Sequence, residues 1–298
     1  MRTLLNRRHL LATLLALSAT VLAPGAVFGA PFASERIGVT VKGEGSDVVL
    51  VPGLNSSPRV WAELIAAVPG HRYHLVHIAG FAGRAKGGNG DGAVAAPVAD
   101  EIARYIAQSG LDKPAVIGHS MGGSIALMLA TRHPQALSRV MVLDMLPFLG
   151  ALFGPPGTTA QSIKPTADAI LAQMRAADPQ ARQVRAQANL IGMIETVAMR
   201  AGALDDSNSS DPDVSARSYH ELIVTDLMPE LARITVPATV LYVTPKGIPL
   251  SDVQMDGIYQ GAYTGLKGVQ LKRIPASAHF IMWDQPQRFQ DEVRIFLK

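Results

Sequence analysis

In this 298-residue chain, Gly118-His119-Ser120-Met121-Gly122 sets a serine between glycines. The apolar run Ala115-Val116-Ile117 precedes it, and Ser124-Ile125-Ala126-Leu127-Met128-Leu129-Ala130 follows with the character of a helix. The five-residue pattern alone is weak, and its position between a strand and a helix gives it force. A serine at such a turn takes a strained backbone conformation, and glycines flank it because larger side chains would strike the adjoining strand and helix. The helix start also offers unpaired N–H groups and a positive dipole end, which favour developing negative charge. Ser120 is therefore the candidate nucleophile, and the Met121 N–H is one donor of an oxyanion hole. Val49-Leu50-Val51-Pro52-Gly53-Leu54-Asn55 reads as a buried strand ending in a turn, which makes the Leu54 N–H the second donor.

With these motifs the chain resembles the α/β-hydrolase fold family over roughly residues 36 to 298. The matching features are Pro52-Gly53-Leu54, Gly118-His119-Ser120-Met121-Gly122-Gly123, a long insert from Pro147 to Ile234, and Ala278-His279-Phe280 near the end. The resemblance implies a Ser, acid, His order along the chain, so the base should lie far downstream. Only His220 and His279 follow Ser120 at sufficient distance, because His133 ends the helix behind the serine. His279 stands in a loop after a strand ending at Ile274 and before a final helix, so it can face the sheet edge that carries Ser120. It is assigned as general base and then general acid.

The acid departs from the family's commonest pattern, which puts it after the strand Ala238 to Val243. That loop reads Thr244-Pro245-Lys246-Gly247-Ile248-Pro249 and holds no carboxylate before Asp252. Asp144 ends the run Val140-Met141-Val142-Leu143, and some family members resemble this arrangement. Adjacent strands lie about 4.8 Å apart, so a carboxylate there could still reach the histidine ring. Asp144 is assigned to orient His279. The alternative leaves Asp144 as a cap and gives the role to Asp252 or Asp256.

The elements that must hold these residues are short Val, Ile and Leu-rich runs alternating with segments of helical period, the pattern of an α/β fold with a mainly parallel sheet flanked by helices. Strands are expected at Ile37 to Val41, Asp47 to Val51, Tyr73 to Ile78, Ala115 to Gly118, Val140 to Asp144, Ala238 to Val243 and Val269 to Ile274. Helices are expected at Val60 to Val68, Pro97 to Ser109, Met121 to His133 and Arg288 to Phe296, with Asp284 at the start of the last. Gly80 to Gly92 should be a mobile loop. The insert of about 147–234 reads as a helical cap with a polar break from Asp205 to Pro212. His71, His74 and His77 fall on opposite faces of one strand, which argues against zinc, and no cofactor or metal is expected.

Composition bounds the rest. Hydrophobic residues at 48% and charged residues at 17% provide ample material for a core. The net charge of +3 resides in Arg2, Arg7 and Arg8, so the remainder balances at zero and no nucleic-acid partner is expected. Residues 1–30 read as a signal peptide: Arg7-Arg8, an apolar stretch from Leu10 to about Leu22, then Pro24 and Gly25. The apolar run falls short of the roughly 20 residues a span needs, so no stable membrane span is expected after cleavage. Export to the periplasm or medium follows, and Asn6-Arg7-Arg8-His9-Leu10-Leu11 resembles a twin-arginine signal. The mature domain would be 31–298. Cysteine is absent, which removes disulfides and thiolate chemistry.

The expected reaction is acyl transfer to water through a Ser-His-Asp triad. Met145, Met174, Met193 and Met199 with Leu146, Phe148, Leu149 and Phe153 suggest an adaptable apolar pocket, and hence a small or medium apolar ester as substrate. The same triad would also suit a cofactor-free haloperoxidase-like enzyme or a lyase, and a non-catalytic ligand-binding member of the fold is a further alternative. The oligomeric state is not legible.

Overall fold

Among the described residues seven strands form one sheet: β1 (Ile37–Lys42), β2 (Ser46–Val51), β3 (His71–Ile78), β4 (Ala115–His119), β5 (Arg139–Leu143), β6 (Ala238–Tyr242) and β7 (Gln270–Arg273). Their spatial order is β1-β3-β2-β4-β5-β6-β7. All neighbouring pairs are parallel except β1 with β3. The computed structural model describes residues 32–247 and 249–298, and the segment read as a signal peptide lies outside them.

The central strands are buried on both faces, as their unbroken apolar runs require. Alternate residues serve opposite layers. Val49, Val51, Val116, Val140, Val142 and Val240 pack into one cluster with α2 (Ala95–Gln108) and α3 (Met121–Arg132). Val48, Leu50, Ile117, Met141, Leu143 and Leu241 pack on the other side with Trp61, beside α1 (Ala62–Ala67), and with Phe289 and Val293 of the final helix. The result is a three-layer α/β/α unit spanning Phe32–Lys298. Edge strand β1 exposes three of its six residues, and this half-wet edge is where the single antiparallel pairing occurs.

Between β5 and β6 the chain leaves the sheet for four helices: α4 (Ala160–Ala176), α5 (Pro179–Met193), α6 (Val197–Asn208) and α7 (Pro212–Val224). Asp178 and Asp211 cap α5 and α7 with side-chain bonds to their first-turn N–H groups, and Pro179 and Pro212 occupy the first helical positions. The polar break at 205–212 is thus the end of one helix and the cap of the next. After β6 come α8 (Asp252–Ala262), the single turn α9 (Ile281–Asp284) and α10 (Pro286–Phe296).

The glycine-rich segment from Gly80 is tied down, contrary to the mobility expected from its composition. Asp211 N–H donates to the Gly80 carbonyl at 2.7 Å and Gly83 N–H to the Ser209 carbonyl at 3.1 Å. Asn89 is wholly buried, and its amide donates to the carbonyls of Arg36 and Ala79 at 3.1 and 3.0 Å. Partners outside the segment, two of them more than a hundred residues away, do what local composition cannot.

Candidate active site

β4 ends at His119, and α3 begins at Met121, so Ser120 alone makes the turn, with φ 54° and ψ −124°. Such a backbone conformation is costly for a residue with a Cβ and persists only where the surroundings impose it. Here they do. A Cβ on Gly118 would strike the Gly122 carbonyl, and one on Gly122 would strike the Val51 carbonyl. Ser120 N–H is held by the Leu143 carbonyl at 2.9 Å.

Gly53 lies against this turn: a Cβ there would sit 3.0 Å from the Ser120 Cβ. The next residue is Leu54. Neither the Leu54 N–H nor the Met121 N–H donates to another group among the described residues, so both proposed oxyanion donors are unoccupied by protein acceptors.

β5 stops at Leu143, one residue earlier than expected, because Asp144 takes a left-handed φ of 49°. Aspartate tolerates this region better than most residues. Asp144 Oδ2 and His279 Nδ1 are 2.7 Å apart. Oδ1 accepts the Val243 N–H and the Tyr259 hydroxyl, both at 3.1 Å. Ser120, Asp144 and His279 border one cavity of about 1270 Å³ that also reaches Leu54, Leu146, Met174 and Met193.

The alternative acids are elsewhere. Asp252 accepts from Thr244 Oγ1 and pairs with Arg273. Asp256 accepts from the Tyr242 hydroxyl and from Arg273. Neither borders the cavity. His220 pairs with Asp168 within the cap.

A family model described as the alpha/beta hydrolase fold matches residues 48–286. The chain belongs to the α/β-hydrolase fold family. Over 200 residues, 65% of this chain and 71% of the relative, this α/β-hydrolase is 28% identical to a candidate carbamate hydrolase of Serratia proteamaculans. Over 217 residues, 72% of this chain and 82% of the relative, it is 23% identical to the pimeloyl-acyl-carrier-protein methyl ester esterase of Vibrio cholerae. Other curated relatives are matched over as little as 37% of their own length. A solved thermophilic esterase from Thermogutta terrifontis shares the fold, with TM-score 0.71, 18% identity, and 88% of this chain and 92% of that one covered.

Three residues around the hydrolase site carry no local sequence signal. Tyr259 lies on α8, and burial, followed by the charge of Asp144, pushes its hydroxyl well above the ordinary value of 10. It therefore remains a donor to that carboxylate. His119 is fully buried beside His279, with ring centroids 4.7 Å apart. Burial holds it well below 6.5. It is neutral, and because its Nε2 faces the His279 carbonyl at 3.0 Å, that nitrogen carries the proton.

Asp284, expected to open the last helix, does something else. Its carboxylate accepts N–H bonds from Glu195, Thr196 and Ala278 at 2.9–3.0 Å. One side chain thus joins the α5–α6 junction of the cap to the loop that carries His279.

The methionine expectation is also revised. Met145, Met174 and Met193 border the cavity with Leu146 and Leu149. Met199 packs against the sheet core instead, and Phe148 joins a small cap cluster with Ile163 and Ile223. Phe153 lies edge-on to Tyr219 with ring centroids 6.3 Å apart. Among the described residues no helix is long and apolar enough to cross a membrane.

Proposed function

We propose that this α/β-hydrolase is an exported serine hydrolase that cleaves small or medium carboxylic esters through an acyl-enzyme. The observation that carries this reading is the His279–Asp144 pair at 2.7 Å in the cavity that Ser120 borders. With Asp144 ionised, Nδ1 of His279 holds its proton and Nε2 presents a lone pair. Nε2 removes the Ser120 proton as Oγ attacks the ester carbonyl. The resulting oxyanion is held by the Leu54 and Met121 N–H groups. Collapse expels the alcohol, which takes the proton from His279 and leaves Ser120 acylated. Water then attacks the acyl-enzyme by the same route, releasing the carboxylic acid.

A fluorophosphonate probe and a panel of 4-nitrophenyl esters test this. Wild-type protein should be labelled and should turn over short and medium acyl chains, with Ser120→Ala abolishing both. Equal labelling of Ser120→Ala, or absence of turnover across the panel by labelled protein, would overturn it. Export is supported by the arginine pair and apolar run of residues 1–30. Replacing Arg7-Arg8 with Lys-Lys should trap precursor in the cytoplasm if the twin-arginine route is used, and fractionation reads the result.

A further inference from the structure

Helix α5 faces the cavity over most of its length yet buries none of its residues. Core packing therefore does not account for its sequence. Two of its cavity residues, Arg182 and Arg185, stand one turn apart in the first half of the helix. The capping Asp178 is engaged by the Ala181 N–H and pairs with neither, although Arg185 also borders a shallow surface depression beside it. Arg182 uses one N–H on the Ala177 carbonyl at 2.6 Å. Neither arginine forms an ion pair among the described residues, whereas Arg175 and Arg217 of the neighbouring helices α4 and α7 share Asp213. Among the described residues the single carboxylate on the cavity wall is Asp144, already engaged by His279, Val243 and Tyr259. The cavity thus carries two unpaired guanidinium groups and no free acid, on a wall otherwise rich in Leu, Met and Ala.

We propose that Arg182 and Arg185 form a subsite for a carboxylate on the substrate, remote from the ester that Ser120 attacks. The substrate class is then a monoester of a dicarboxylic acid: one ester carbonyl at the nucleophile, an apolar spacer along the wall, and a free carboxylate on α5. Guanidinium suits this role because its planar fork matches a carboxylate with two parallel hydrogen bonds. The proposal rests on the serine-hydrolase reading and refines its substrate.

The test compares mono-4-nitrophenyl esters of dicarboxylic acids, from succinate to suberate, with the same molecules capped as methyl esters. In wild-type protein the best free acid should exceed its capped counterpart in kcat/KM by about 10-fold or more, and the advantage should shrink as salt rises. The advantage should collapse toward unity in R182Q/R185Q and persist in part in R182K/R185K, with unchanged melting temperatures showing that the variants fold. Equal use of free and capped esters by wild type at every length, or an unchanged advantage in R182Q/R185Q, would overturn the proposal. Adipate binding by Ser120→Ala protein, measured calorimetrically, separates the subsite from the chemistry. Binding that R182Q/R185Q abolishes upholds the subsite even if no ester is turned over, a result that would strike the serine-hydrolase reading alone. No adipate binding would sink the subsite while leaving turnover of neutral esters intact.

Discussion

Asp144 divides its two oxygens between different duties: Oδ2 meets His279, while Oδ1 is held by a backbone N–H and a buried phenol. The second pair fixes the carboxylate plane, so the imidazole has one preferred orientation. As the proposed acid, Asp144 should not tolerate replacement by asparagine: Asp144→Asn is expected to lower kcat by about 10⁴-fold with the melting temperature little changed. Asp252→Asn should stay within about 2-fold of wild type, since it serves Arg273 and Thr244. The reverse ranking in steady-state assays would transfer the role. Tyr259→Phe removes one of the two bonds to Oδ1 and should cut kcat about 10-fold, equivalent to roughly 1.5 kcal/mol, with KM nearly constant. A change in KM alone would show that Tyr259 merely shapes the cavity.

At the scale of elements, cap and core are joined by carboxylates bonded to distant backbone N–H groups. Glu221 of α7 accepts from Val94, Ala95 and Ala96 at the start of α2, at 2.6–2.9 Å, serving that helix as a cap no local residue supplies. Asp206 of α6 accepts from Ser57 N–H and Oγ and from Arg59. Asp284 bonds the α5–α6 junction to the His279 loop, and Phe280 N–H donates to the Met193 carbonyl at the end of α5. The C-terminal end of α5 is therefore pinned beside the proposed base. Asp284→Ala leaves three backbone donors without their partner and should cost about 3 kcal/mol of stability. Denaturant titration measures that loss, and hydrogen exchange should rise at Glu195, Thr196 and Ala278 together. A rise confined to one of the three would disprove the joint.

For the whole molecule, pH acts first through His119, which is buried, and His77, which is partly buried. Burial holds both His119 and His77 below 6.5. Below that pH the unfolded chain binds protons that the folded chain refuses, so stability is full above about 6.5 and falls as the solution is acidified. The carboxylates of Asp47 and Asp213 are also shifted downward, below 3.8, by bonds to Arg72 and Arg217 that favour their charged form. Their contribution is present above about 4 and lost further down. Melting temperature should therefore be level from pH 8 to 7, decline from 6.5 to 5, and drop again below 4. His119→Asn should flatten the first decline, and an unaltered slope in that variant would remove His119 from the account.

Much of this architecture was legible because parallel strands buried on both faces announce themselves as unbroken apolar runs, and all seven appeared within two residues of their ends. The turn at Ser120 was equally plain, since its glycines are local. The contact of Asp144 with His279 was anticipated from the empty loop after β6 together with the family resemblance, though not the left-handed backbone of Asp144. Tyr259, His119, Glu221 and Asp284 were hidden, because each meets partners that only the folded sheet and cap bring near. The glycine-rich segment misled for the same reason: its order is supplied by Ser209, Asp211 and Arg36.

The placement of the proposed acid just beyond β5 has an evolutionary corollary. With Asp144, just beyond β5, bonded to His279, the proposed triad draws no residue from 244–247, yet Pro245 borders the cavity. A segment that lines the cavity without supplying a residue of the proposed triad can drift in sequence and length while that triad persists. It offers selection, or a protein engineer, a place to change substrate preference without touching the machinery.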